Sequence, residues 1–262
     1  MAAEDAKKLS RLQETLYADG HWAVLVILQG MDTAGKDGVI EHVFSGVNPL
    51  GLEVHAFKAP NADELAHDFL WRAALRLPER GKIGIFNRSY YEECLVVRVH
   101  PEFLAAQKLP PQTVPQNIWQ ERFEDIRAFE RHLVRNGTIV LKFHLRISKE
   151  EQARRLLARL DEPDKRWKFN KNDVAEGELW DRYMAAYEDM IRHTSTPEAA
   201  WHVVPADHKW FARLVTSAAL VDALERLNLK FPPIEKDALA ELKNMRQALA
   251  AQLPVGDRDR KR

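Results

Sequence analysis

The chain has 262 residues and carries 39 basic against 39 acidic side chains, so its formal net charge is zero and no global field draws it to nucleic acid or to a membrane surface. Hydrophobic residues make up 45% of it, enough to bury a sizeable core in one large α/β domain or two small ones. The single cysteine, Cys94, excludes an internal disulfide framework and a cysteine-based zinc site, and fits a reducing compartment. The opening "MAAEDAKKLSRLQETL" lacks the apolar core of a signal peptide. The longest apolar run, Trp22 to Leu28, is about seven residues, against the ~20 that a membrane span needs. A cytoplasmic protein without a membrane or nucleic-acid partner is expected.

Leu9, Leu12 and Leu16 recur at helical spacing and predict an amphipathic helix over 5–18. "WAVLVILQG" (22–30) is apolar almost throughout, the composition of a parallel strand buried on both faces. A helix over 36–45 follows its glycines directly. "GLEVHAFKAP" (51–60) reads as a short strand, and 62–78 as a helix stopped by Pro78. "KIGIFNRSYY" (82–91) is a strand running into a loop. A long helix is predicted over 115–135, with Trp119, Phe123, Ile126, Phe129 and Leu133 on one stripe that serves either a core or an interface. "GTIVLKFHLRI" (137–147) is the next strand. Ser148 followed by Glu151 has capping-box spacing and opens a helix over 148–160. A basic, aromatic loop (161–173), a helix over 178–194, a strand over 201–208 and a helix over 209–228 complete the order. Strands alternating with helices predict a single parallel-sheet α/β domain over 1–255, with a basic lid at about 148–175 inserted over one end of the sheet. The charged end at 256–262 reads as a disordered tail.

Gly30 to Lys36 has the spacing G-x-x-x-x-G-K of a phosphate-binding loop, placed between an apolar strand and a helix. Backbone N–H groups around Gly30, Ala34, Gly35, Asp37 and Gly38, together with the Lys36 ammonium, are then candidate phosphate ligands. The motif normally continues with Ser or Thr on Mg²⁺, but Asp37 stands there, and Asp32 adds a second carboxylate inside the loop. A carboxylate beside a polyanion repels it unless a hard cation such as Mg²⁺ takes both. Asp32 is therefore expected at a metal-bound phosphate or at the attacking group. Asp37 is either a metal ligand or a first-turn residue complementing the helix dipole. The predicted strand "IGIF" ends in Asn87-Arg88, where phosphate-loop enzymes usually place a metal-binding Asp. Arg88 would clamp phosphate oxygens or pair with Glu92 or Glu93, and those two acids are candidate metal ligands or bases.

Taken together, "GMDTAGKDG" (30–38), "FNRSYYEECLVVRVHPE" (86–102), "ISKEEQARRLLARLDEPDKRWKF" (147–169), "WDRYMAAYEDMIRHTST" (180–196) and "VPADHKWFARL" (204–214) resemble the polyphosphate kinase 2 family. The form with Asn87 resembles the subgroup that phosphorylates both nucleoside mono- and diphosphates. The resemblance implies a P-loop kinase-like three-layer αβα fold with a basic helical lid. It also implies Mg²⁺-dependent, reversible phosphoryl transfer from inorganic polyphosphate to AMP or ADP, with Mn²⁺ and guanine nucleotides as variants, in a dimer or tetramer. It makes Asp32 a catalytic carboxylate near acceptor and metal, Lys36 the ligand of the transferring phosphate, Arg88 a phosphate clamp, and Asn87 and Glu92 part of the acceptor region. Asp32, Asp37 and Glu92 are the candidate metal ligands.

A linear polyanion needs a row of cations, and 142–171 supplies one: Lys142, Arg146, Arg154, Arg155, Arg159, Lys165, Arg166, Lys168 and Lys171. Arg155 and Arg159 share a helix face, with Arg154 to one side. Arg154 and Arg155 are candidate phosphate ligands, the alternative being exposed i,i+4 ion pairs of Glu150 with Arg154 and of Glu151 with Arg155. Arg159 has no acid four residues before it and is the stronger phosphate candidate. Trp167 and Phe169 either stack on the acceptor base or anchor the lid. Arg98 is a candidate channel residue, and Lys209, with Asp207 and His208, sits at a strand end where ligands of open α/β sheets bind. The competing functions are an ATP-dependent nucleoside monophosphate kinase and a nucleotide-binding switch without turnover.

Overall fold

The structure, a computed structural model, describes residues 2–168 and 172–252. The first helix, α1 (Ala2–Asp19), buries Leu9 and Leu16 as its periodicity requires. Strand β1 (Ala23–Gln29) is buried at every position. It is followed by α2 (Lys36–Val43) and β2 (Leu52–Ala56). A helical turn α3 (Trp71–Ala74) leads to β3 (Ile83–Asn87), and the short helices α4 (Val96–Val99) and α5 (Pro101–Ala106) come next. Helix α6 (Ile118–Arg135) precedes β4 (Thr138–Arg146) and the lid helix α7 (Lys149–Asp161). The chain continues through α8 (Asn172–Glu178), α9 (Trp180–Thr194), β5 (Trp201–Pro205), α10 (Lys209–Arg226) and α11 (Lys236–Ala251).

The five strands form one parallel sheet in the order β2-β3-β1-β4-β5. Strand β1 pairs with β3 on one side and β4 on the other, which is why its sequence is apolar on both faces. Helices α1, α2 and α10 pack together as one layer, and α4, α6 and α9 as another. The stripe on α6 serves the core: Phe123, Ile126 and Leu133 are buried, and Trp119 and Phe129 pack against them half-buried. Ser148 caps α7 by accepting from the Glu151 N–H, as its spacing predicts. Among the described residues no helix is long and apolar enough to cross a membrane.

One expectation changes. The helix predicted over 62–78 is a 3-10 turn (Glu64–Ala66) and the single turn α3. Local caps divide it: Asn61 and Glu64 bond reciprocally, and the Asp68 carboxylate accepts from Leu70 N–H. β3 ends at Asn87, where the sequence places the end of the strand, and Arg88 after it has φ of +64°. The compact unit that carries the sheet ends at Leu229, and a second unit starts at Lys230. That second unit contains α11, which the sequence reading did not include; the expected tail at 256–262 lies outside the described residues.

Lys142, expected in the row of phosphate-binding cations, is fully buried and points away from solvent. Its ammonium donates to Glu130 Oε2 at 2.6 Å, Tyr91 Oη at 2.9 Å and Thr194 O at 2.8 Å. Tyr90 and Tyr91 both donate to Glu130 Oε1. Burial pushes the Glu130 carboxyl up and the Lys142 ammonium down, while the two hold each other charged. The cluster fastens the 3-10 turn Tyr90–Cys94, which follows Arg88, to α6, β4 and the end of α9. Glu130→Ala leaves an uncompensated buried ammonium and is expected to cost about 3–5 kcal/mol in urea denaturation, whereas Glu130→Leu combined with Lys142→Met recovers much of the loss.

Candidate functional site

The site starts where β1 ends. Gly30 has no room for a side chain: a Cβ would stand 2.7 Å from Leu145 O and 2.9 Å from Ala34 Cβ. The loop that follows uses left-handed backbone at Thr33 (φ +64°) and Gly35 (φ +101°), the alternation from which anion-binding nests of N–H groups are built. Ala34 is buried beneath it, with its N–H on Met31 O. Lys36 begins α2 and folds back, donating to Gly30 O at 2.8 Å and Met31 O at 3.2 Å. Burial, and then the nearby Arg88 guanidinium, pull its pKa down to about 8, while Asp32, Glu92 and Asp37 pull the other way. Gly38 lies one turn into α2, facing Arg213.

The two unusual acids have separate partners. Asp37 sits in the first turn of α2 and accepts 2.7 Å from Asn87 Nδ2. The motif hydroxyl and the strand-end Asp of phosphate-loop enzymes are thus replaced by a carboxylate and an amide that bond to each other. Asp32 accepts 2.7 Å from Arg159 Nη1 of the lid. Arg88 donates to Glu92 at 3.0 Å, and that carboxylate pushes its guanidinium further up in pKa. Left-handed backbone at a non-glycine residue costs of order 1–3 kcal/mol and persists where the surroundings hold it. Here Arg88 N–H is tied to Leu28 O, and Ser89 Oγ accepts from Tyr91 N–H and Gln29 Nε2. Glu93 turns instead to Arg122 and Gln107.

Helix α7 lies on the loop. Arg155 is a strut: it donates to Thr33 O at 2.9 Å, Ala206 O at 2.7 Å and Asp207 O at 2.8 Å, and to Glu151. The Arg154 side chain is 68% exposed and paired to Glu151, one position away from the predicted Glu150. Arg98 is bound to Asp189 on α9 and is not among the residues that line the three cavities described below. Trp167 is 78% exposed, on the 3-10 turn Pro163–Lys168. Phe169 and Lys171 lie outside the described residues. Lys209 opens α10 and faces the loop across a groove, whereas Asp207 caps the start of α7 by accepting from Ser148 N–H.

Three cavities meet at Arg88. A groove of about 610 Å³ is walled by residues 32–39, Asn87, Arg155, Arg159, Lys165, Lys209 and Arg213. A cavity of about 220 Å³ holds Asp32, Glu92, Glu176, Gln152, Tyr183 and Tyr187. A third, of about 580 Å³, is lined by Phe57, His67, Phe69, Arg72, Tyr90 and Phe103 among others. Glu176, Tyr183, Tyr187 and Gln152 were not among the predicted site residues. Tyr183 and Tyr187 lie four apart on the buried face of α9, and their packing next to Glu176 and Gly30 makes them walls of the cavity. Among the described residues no three His, Cys, Asp or Glu side chains gather into a ready-made metal site. Asp32, Asp37 and Glu92 thus stand as separate carboxylates, each with an internal partner.

The model of the family polyphosphate kinase 2 matches residues 1–232. The chain is 50% identical over 244 residues to the ADP-polyphosphate phosphotransferase of Rhodopseudomonas palustris, covering 93% of this chain and 84% of that protein. It is 49% identical over 229 residues to the AMP/ADP-polyphosphate phosphotransferase of Meiothermus ruber, covering 87% and 82%. The crystal structure of polyphosphate kinase 2 from Arthrobacter aurescens superposes with a TM-score of 0.86 at 41% identity, over 96% of this chain and 85% of that one. With the family match spanning the whole sheet-bearing unit and the fold and loop agreeing with it, this chain belongs to the polyphosphate kinase 2 family.

Proposed function

We propose that this protein transfers a phosphoryl group from inorganic polyphosphate to AMP or ADP, reversibly and with Mg²⁺, for which Mn²⁺ can substitute. The observation that carries the reading is the position of Arg88 as a wall common to a basic groove and an aromatic cavity. The groove offers cations along its length, which suits a linear polyanion that has no base to recognise. The aromatic cavity suits a nucleoside. An ATP-dependent monophosphate kinase would need a second nucleoside pocket where the groove presents Arg159, Lys165, Lys209 and Arg213. The relatives from R. palustris and M. ruber, named for ADP and for AMP/ADP, support these acceptors.

Mg²⁺ takes one or two carboxylates together with phosphate oxygens and water, so separated acids fit it better than a closed protein cage would. Asp32 and Glu92, which border the same small cavity, are the residues that would hold it, with Asp37 as the alternative at the start of α2. When bound, the ion neutralises charge between phosphates and carboxylates. The chain's own residues do the rest. Loop N–H groups and Lys36 hold the donor's terminal phosphates, Arg88 orients the transferring group between donor and acceptor, and the lid excludes water. A cytoplasmic setting and a dimeric or tetrameric assembly belong to the same reading.

Incubating AMP with polyphosphate and Mg²⁺, without ATP, is expected to yield ADP; no product would sink the assignment. Asp32→Asn is expected to retain the fold and lose turnover by about 100-fold or more, and unchanged turnover would show that Asp32 is not catalytic. Lys36 carries its charge in the free protein only below about pH 8, whereas in the unfolded chain it would keep it to about 10.5. Polyphosphate affinity is therefore expected to fall as pH rises through 8. Above that pH, binding takes up a proton, measurable by calorimetry in buffers of different ionisation enthalpy.

A further inference from the structure

In the aromatic cavity the Gln107 amide is only half used. Gln107 ends α5, with its backbone N–H on Leu104 O, and lines the cavity together with Phe57, Phe69 and Phe103. Its side-chain nitrogen donates to Glu93 Oε2 at 2.7 Å. Glu93 is 6% exposed, and its other oxygen accepts from Arg122 Nε at 3.2 Å. The Arg122 guanidinium in turn lies 4.4 Å from the centre of the Phe69 ring. A carboxylate only accepts, so the amide must turn its NH2 towards Glu93 and its carbonyl away from it. The carbonyl oxygen and the second N–H of Gln107 are left without a partner among the described residues. Several other polar side chains on the wall hold the wall itself. Arg72 donates to Lys58 O, Glu64 accepts from Asn61 N–H, and Ser89 Oγ accepts from Gln29 Nε2 and Tyr91 N–H.

An acceptor and a donor side by side on one amide match the N6/N7 edge of adenine, where the amino group donates and the ring nitrogen accepts. Guanine presents two acceptors there, O6 and N7, and the carbonyl opposes O6. Turned over, the amide would instead suit the O6 and N1–H of guanine, and the bond to Glu93 prevents that turn. We propose that Gln107 reads the acceptor base and selects adenine over guanine, held in the required orientation by Glu93. The proposal rests on the reading of the aromatic cavity as the acceptor site and adds the choice of base to it. The cavity, at about 580 Å³, accommodates a nucleoside, and Arg88 on its wall is shared with the groove, so the phosphate end of the nucleotide points there. Gln107 touches the base and not the transferring phosphate, so its contribution appears chiefly in KM.

The test is steady-state phosphorylation, with polyphosphate and Mg²⁺, of ADP, GDP, purine riboside 5′-diphosphate (which lacks N6) and 7-deaza-ADP (which lacks N7). The unmodified protein is expected to favour ADP over each of the others by about tenfold in kcat/KM. Gln107→Leu is expected to lower kcat/KM for ADP about tenfold, mostly through KM, and to bring the acceptors close together. Glu93→Gln, whose amide donates as well as accepts, is expected to narrow the ratio of ADP to GDP, because Gln107 can then turn over. Thermal melts confirm that each variant is folded, and the series of acceptors tests the proposal on the unmodified protein alone. Equal use of ADP and GDP overturns it, as does a preference that survives Gln107→Leu or is lost instead in Asp68→Asn, whose carboxylate also borders the cavity. If none of the acceptors is phosphorylated, the polyphosphate reading fails and this proposal with it; if all are phosphorylated alike, only the assignment of the base fails.

Discussion

Strand β1 pairs in parallel with β3 and with β4, so the ends of three strands lie side by side. Leu28 is level with Asn87, and Gln29 with His144. That register brings the loop after Gly30 next to Asn87 and Arg88, although 50 residues separate Asp37 from Asn87. The two-sided burial that such pairing demands is what makes β1 apolar throughout. The loop that follows Gly30, Asn87 and Arg88 are mounted on this edge, and the lid helix α7 brings Arg155 and Arg159 to it. The buried Glu130–Lys142 pair, with Tyr90 and Tyr91, fixes the turn that follows it. Arg88 can therefore be held in a strained backbone conformation between two anchored segments.

The second theme is charge that is paired internally. Arg88, Arg159 and Lys36 meet Glu92, Asp32 and loop carbonyls respectively. In a protein of zero net charge, a polyanion site must be assembled from local cations, and Lys36, Arg88, Arg155 and Arg159 are each held beside the loop by an acid or a carbonyl. The arrangement keeps buried charge compensated before a ligand arrives. It also explains how a phosphate loop tolerates two carboxylates. Asp37 is bonded to an amide, and Asp32 to a guanidinium from the lid.

Much of the fold was legible because its signals are local. The apolar run of β1, the glycines of the loop, the Ser148 cap and the stripe of α6 each follow from residues near one another in sequence. The helix expected over 62–78 failed for an equally local reason: Asn61, Glu64 and Asp68 offered the backbone competing bonds that interrupt a continuous helix. Charged residues were the hardest to place. Lys142 and Arg154 look alike as members of a basic row, yet one is fully buried on an acid from α6 and the other is exposed on its own helix.

By itself the sequence determined the order of strands and helices, the phosphate loop with Lys36 at its end, and membership of a family whose motifs are spread along the whole sheet-bearing unit. Only the tertiary structure decided which cations face the groove and what each one holds. Arg159 meets Asp32 across 127 residues, Arg98 is drawn off to Asp189 across 91, and Tyr183 and Tyr187 become walls of a cavity. The reason is physical. Secondary structure is set by bonds and packing between near neighbours, whereas a charged side chain takes whichever opposite charge the folded chain brings within about 3–4 Å, and spacing in the sequence does not carry that distance.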